Sequence, residues 1–85
     1  MAEFTVYGRP GCMYCHYAVK LLKSKEIDFD YIDIYKENLS KSDVSKIINQ
    51  PVQTMPQILH GEHYVGGCTE LMGYVKSDEF EQNRL

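Results

Sequence analysis

Cys12 and Cys15 stand two residues apart in the stretch Arg9-Pro10-Gly11-Cys12-Met13-Tyr14-Cys15-His16. Two thiols at that spacing can exchange with a disulfide or supply half of a metal site. At the opening of a helix, residues three apart lie about 5–6 Å from each other, inside the Cα separation a disulfide tolerates. Such a pair opens and closes without refolding. Exchange needs a thiolate, and an ordinary cysteine with a pKa of about 8.5 is mostly protonated at neutral pH. A helix start favours the charged form through its unpaired N–H groups and its dipole. Cys12 is therefore the expected nucleophile, and Cys15, one turn inward, the less exposed resolving thiol. A closed zinc site wants four ligands, and the further candidates are Cys68, His16, His60 and His63, with no second CxxC or HxxxH spacing among them. No metal is expected. The three histidines read as surface or strand-edge residues.

The elements around the pair follow from the hydrophobic pattern. Phe4 to Tyr7 is an extended apolar run, and Gly8 to Gly11 the loop that leaves it. From Met13 to about Lys25, Tyr14, Tyr17, Ala18, Leu21 and Leu22 recur at helical spacing, which places Cys12 at a helix start. Asp28 to Tyr35 reads as a second strand with apolar residues of both parities, as expected for a strand covered on both faces. Ser40 caps a second helix with Asp43 in the capping-box position, Leu39 and Val44 as its staple, and Val44, Ile47 and Ile48 as its buried stripe. Gln50-Pro51 ends it. Gln57 to His60 and His63 to Val65 form a hairpin across Gly61-Glu62. After Gly66-Gly67, Thr69 is the expected N-cap of a last helix with Leu71, Met72 and Val75 facing inward. Tyr64 also reads as core, and the tail from Ser77 as a short helical turn or frayed end. The order is β-α-β-α-β-β-α, an α/β chain forming a four-stranded mixed sheet between helices.

Eighty-five residues with 44% hydrophobic and 25% charged side chains predict one small globular domain, 1–85, rather than a disordered chain or a fibre. The net charge of −3 argues against a nucleic-acid partner, which usually needs a basic face. The charge is uneven, with +3 over residues 1–25 and −6 beyond, so the cysteine pair sits at the basic end. No apolar run approaches the roughly 20 residues of a membrane span, and no basic-then-apolar leader opens the chain. A cytoplasmic protein with no membrane partner is expected. In such a reducing compartment a close thiol pair points to catalysis or metal binding rather than to a structural bridge.

Taken together, Cys12-Met13-Tyr14-Cys15 after the first strand, Thr54-Met55-Pro56 before the third, and Gly66-Gly67-Cys68-Thr69-Glu70 before the last helix resemble a glutaredoxin of the small dithiol type. The resemblance covers nearly the whole chain and implies the thioredoxin fold in its minimal form. It implies a monomeric, glutathione-dependent thiol–disulfide oxidoreductase that reduces protein disulfides and protein–glutathione mixed disulfides, with ribonucleotide reductase among its partners. A cis bond before Pro56 is implied, with the Met55 backbone offered to an extended peptide. The implied glutathione site comprises Arg9 for the glycyl carboxylate and the Thr69 and Glu70 amides for the γ-glutamyl end. Gly67 allows close approach, and Tyr14, Thr54, Met55, Pro56 and Cys68 complete the site. Cys68 is by default a packing residue, with a partial exposure that leaves oxidation or glutathionylation as a secondary reading. Two positions depart from the common family pattern. Met13 stands where proline is more frequent, and Glu70 where aspartate is. A thioredoxin-like electron carrier is the near alternative, and a protein holding an iron–sulfur cluster through Cys12 and glutathione is the alternative from another class.

Overall fold

The computed structural model describes residues 2–84. Its elements are β1 Phe4–Gly8, α1 Met13–Ser24, β2 Phe29–Asp33, α2 Lys41–Ile48, β3 Gln57–His60, β4 His63–Gly66, α3 Cys68–Tyr74 and α4 Asp78–Arg84. The strands form one sheet in the order β2-β1-β3-β4. β1 runs parallel to β2, pairing Val6 with Tyr31, and antiparallel to β3, pairing Val6 with Ile58. β4 returns antiparallel to β3 with a register shift at Ile58/Leu59. The α/β fold with a mixed four-stranded sheet is the one anticipated from the hydrophobic pattern.

Alternation along β1 divides the core in two. Phe4 and Val6 face one side, where Ala18 and Leu22 of α1, Ile58, Leu71 and Tyr74 of α3 and Phe80 of α4 pack on them. Tyr7 faces the other, with Ile34, Val44 and Ile48 of α2, Met55 and Cys15. Two residues in register thus send β1 to both helical layers. Its C-terminal end delivers the chain to the cysteine pair.

Several boundaries and faces differ from the expectation. β2 stops at Asp33, because the Asp33 side chain accepts from the amides of Tyr35 (2.9 Å) and Lys36 (3.2 Å) and turns the chain. As an edge strand, β2 is only partly covered, and Tyr31 is exposed. In α1 the buried residues are Cys15, Ala18 and Leu22, while Tyr14 and Tyr17 face outward at 62% and 48% exposure. Both choices of stripe have helical spacing, and the sheet selects one. In α2, Val44 and Ile48 are buried and Ile47 is exposed. That helix ends at Ile48 with Asn49 in the left-handed conformation (φ 57°). α3 starts at Cys68 with Gly67, not Thr69, as N-cap. That start places Cys68, Leu71 and Tyr74 inward and leaves Met72 exposed.

Of the two expectations for the tail the helical one holds, and α4, at seven residues, is longer than a single turn. Phe80 holds it, only 4% exposed. Burying such a side chain contributes about 1.5–3 kcal/mol, more than the roughly 0–1 kcal/mol of an exposed ion pair, so Phe80 outweighs the neighbouring Arg84–Glu3 pair (2.8 Å) as its anchor. His60, expected at the surface, is buried at 5% exposure and stacked on Phe4. Its Nε2 lies 2.8 Å from Glu3 Oε2, and its Nδ1 is hydrogen-bonded to the Tyr74 hydroxyl. Those two partners make burial of a polar ring affordable. Leu85, an apolar residue of the tail, lies outside the described residues.

Candidate redox site

Cys12 is the N-cap of α1, in extended backbone, and its sulfur accepts from the Cys15 amide at 3.2 Å. Gly11 before it takes φ +70°, a conformation that turns the loop sharply into the helix. The two cysteines are joined as a disulfide, with Cα atoms 5.2 Å apart. Cys12 is partly exposed, whereas Cys15 is 2% exposed within the α2-side core. An amide and a helix dipole aimed at Cys12 favour negative charge on its sulfur. Cys15, buried among apolar groups, lacks that support.

The Met55–Pro56 peptide bond is cis, and the Met55 carbonyl oxygen lies 3.7 Å from Cys12 Sγ. Gln57 at the head of β3 steadies this turn, donating through Nε2 to the Thr54 carbonyl at 2.8 Å and accepting through Oε1 from the Tyr64 hydroxyl at 2.6 Å. On the far side, Gly66 and Gly67 bring α3 up to Pro56. Gly66 has φ +122°, and a Cβ there would come within 2.9 Å of the Glu70 side chain. The Glu70 carboxylate accepts from the Gly67 amide at 2.8 Å, and so caps the helix that Gly67 itself cannot cap.

These segments enclose a cleft of about 420 Å³. It gathers Arg9, Cys12, Tyr14, Thr54, Met55, Pro56, Gly67, Cys68, Thr69 and Glu70, all singled out from the sequence. Cys15 does not line it. Lys41 and Gln53 do, and the sequence reading missed both. Their signal was weak, since a lysine at a helix start and a glutamine in a loop are ordinary surface residues. Gln53 directly precedes the Thr54-Met55-Pro56 segment, whereas Lys41 reaches the site only because α2 docks beside that turn. The charge is divided, with Arg9 and Lys41 cationic and Glu70 anionic. Cys68 borders the cleft but is only 7% exposed, packed in one core cluster with Ala18 and Leu22 of α1. Burial, and secondarily the Glu70 charge, push its thiol pKa up. Among the described residues, no group of three or more His, Cys, Asp or Glu side chains is arranged to hold a metal.

The family model for glutaredoxin matches residues 4–65. The chain belongs to the glutaredoxin family. A glutaredoxin of Vibrio cholerae is 44% identical over 78 residues, covering 86% of this chain and 90% of that protein. Glutaredoxin 1 of Escherichia coli is 36% identical over 81 residues, covering 89% and 95%. The solved structure of reduced Escherichia coli glutaredoxin superposes with a TM-score of 0.75 at 32% identity, covering 89% of this chain and 95% of that one. A buckwheat glutaredoxin–glutathione complex shares the fold, with a TM-score of 0.77 at 19% identity over 96% of this chain and 76% of its own. As a glutaredoxin of the thioredoxin fold, the chain is a thiol–disulfide oxidoreductase with Cys12 and Cys15 as its redox pair.

Proposed function

We propose that this glutaredoxin is a glutathione-dependent reductase of protein disulfides and of protein–glutathione mixed disulfides, with Cys12 as nucleophile and Cys15 as resolving thiol. The observation that carries the reading is the divided charge of the cleft around Cys12, cationic at Arg9 and Lys41 and anionic at Glu70. Glutathione has a carboxylate at its glycyl end and an ammonium with a second carboxylate at its γ-glutamyl end. Arg9 and Lys41 match the first. Glu70 matches the ammonium, and the opening amides of α3 at Thr69 and Glu70, which have no acceptor within the helix, match the second carboxylate. Between these ends the cysteinyl backbone pairs with Met55 as an added strand, beside Thr54 and Pro56, with Tyr14, Gly67 and Cys68 forming the walls.

The chemistry runs by thiol–disulfide exchange. The Cys12 thiolate attacks the glutathione sulfur of a glutathionylated protein, and the protein leaves as its thiolate. A second glutathione thiolate attacks the bound glutathione sulfur, releasing glutathione disulfide and regenerating Cys12. With a protein disulfide, Cys12 forms a mixed disulfide with the protein, and Cys15 displaces the second protein sulfur to close the Cys12–Cys15 bond. Ribonucleotide reductase is a substrate of this second kind. The bacterial relatives and the chain's charge and hydropathy support action in the cytoplasm, as a monomeric single domain.

Turnover on a glutathionylated peptide and on a disulfide-bonded protein tests the assignment. Cys15→Ser retains the first activity and loses most of the second. Cys12→Ser loses both, and appreciable turnover by that variant would sink the assignment. Arg9→Ala and Lys41→Ala each raise KM for the glutathionylated peptide by about three- to tenfold, the loss of one exposed charge contact at about 1 kcal/mol. Full activity with a thioredoxin reductase and none with glutathione would instead favour the electron-carrier role.

A further inference from the structure

Closing the Cys12–Cys15 bond requires Cys15 to give up its proton while the substrate occupies the cleft above Cys12. Cys15 is buried and does not line that cleft, so the proton leaves elsewhere. A second cleft of about 320 Å³, termed the rear cleft, lies between the Arg9–Gly11 loop, α1 and β2. Cys12 lines both clefts, and Cys15 lines this one together with Arg9, His16 and Tyr31. Its volume admits several waters at about 30 Å³ each. Arg9 and Gly11 line both clefts as well, so the two adjoin, and Cys15, His16, Val19 and Tyr31 belong to the rear one alone.

Few groups there accept a proton at neutral pH. Arg9 is always protonated. Tyr31 on β2 keeps its proton because burial, and then the nearby Asp33 charge, raise its pKa. The Asp33 carboxylate already accepts from two backbone amides. Tyr7 on β1, in the same core cluster as Cys15, is raised by burial. The α2 residues packed in that cluster, Val44 and Ile48, are apolar, as is Met55. His16, next to Cys15 on α1 and exposed to solvent, is the remaining base. A neutral imidazole carries one ring nitrogen that accepts a proton, including one relayed by water.

We propose that His16 is the base for the resolving thiol, taking the Cys15 proton through water in the rear cleft. In the step, the Cys15 S–H proton passes to the imidazole and the Cys15 sulfur bonds to Cys12. The Cys12–substrate S–S bond breaks, and its electron pair leaves with the substrate sulfur, which is protonated to the thiol. The substrate disulfide is reduced and the cysteine pair is oxidised. His16 acts through Cys15 and is a positioning residue in proton transfer; it does not touch the substrate.

The inference rests on the dithiol route proposed above, and the test separates the two. Reduced wild-type protein and His16→Gln are mixed, in stopped flow, with a peptide carrying an internal disulfide, and formation and resolution of the mixed disulfide are followed from pH 6 to 9.5. His16→Gln slows resolution about tenfold at pH 7, less than the roughly 10²–10⁴-fold of a directly bonded base because water intervenes. The deficit closes above about pH 9, where a thiol ionises unaided. Added imidazole restores the rate at pH 7, and formation of the mixed disulfide is unchanged. Equal resolution rates at pH 7, or a deficit constant across pH, overturn the role of His16 while leaving the dithiol route intact. A wild-type protein that never resolves the mixed disulfide overturns both.

Discussion

Three cysteines in one small chain take three different states. Cys12 caps a helix and meets solvent, Cys15 is buried but reaches a rear cleft, and Cys68 is buried with its thiol held protonated. Reactivity follows thiolate fraction and access together. In the fully reduced protein at pH 7, iodoacetamide is therefore expected to alkylate Cys12 at least about ten times faster than Cys68, as peptide mass spectrometry of a time course would measure. Comparable rates would mean that α3 does not shield Cys68. The sequence placed Cys12 correctly because helix-start chemistry is local. The packing role expected for Cys68 agrees with its 7% exposure, and only the partial exposure expected of that thiol fails, because burial against α1 is not a local property.

Among the elements, α2 shows how completely a local motif specifies structure. The Ser40 hydroxyl accepts from the Asp43 amide at 3.0 Å, and the Asp43 carboxylate accepts from the Ser40 amide at 2.9 Å. Ser40→Ala is expected to cost about 1 kcal/mol, measured as a lower urea midpoint with an unchanged m-value. The hydrogen bonds from the Ser40 backbone and side chain lower the Asp43 pKa below the usual carboxylate range. A depressed folded-state pKa gives stability that is present above the unfolded carboxylate value of about 3.9 and lost as pH falls through the folded one. Asp43→Asn should accordingly flatten the acid limb of the stability profile below about pH 4, and an unchanged limb would show that the box does not form in solution. Helical faces were less legible than caps. Tyr14, Tyr17 and Leu21 share α1's spacing with Cys15, Ala18 and Leu22, and periodicity alone does not rank two adjacent stripes.

At the scale of the molecule, the redox end and the closing end lie at opposite ends of β3. Gln57 meets the cis-proline turn, while His60 joins Glu3 near the start of the chain to Tyr74 and to α4 through Asn83 and Arg84. Phe80→Ala should destabilise the fold by about 3–5 kcal/mol in urea unfolding, with the folded protein keeping its rate on a glutathionylated peptide. A loss of rate without a loss of stability would show that α4 reaches the site. The sequence suggested no more than a helical turn near residue 80, because a lone phenylalanine in a polar tail has no periodicity, and its value appears only against Phe4, His60 and Tyr74. By itself, the sequence determined what short-range chemistry dictates: the element order, the helix start beneath Cys12, the capping box and the residue types at the cleft. The tertiary structure alone decided which stripe of each helix is buried, that Lys41 joins the cleft, that His60 is enclosed, and that Cys15 opens to the rear cleft beside His16. Those outcomes depend on contacts between segments distant in the chain, whose energies no local pattern encodes.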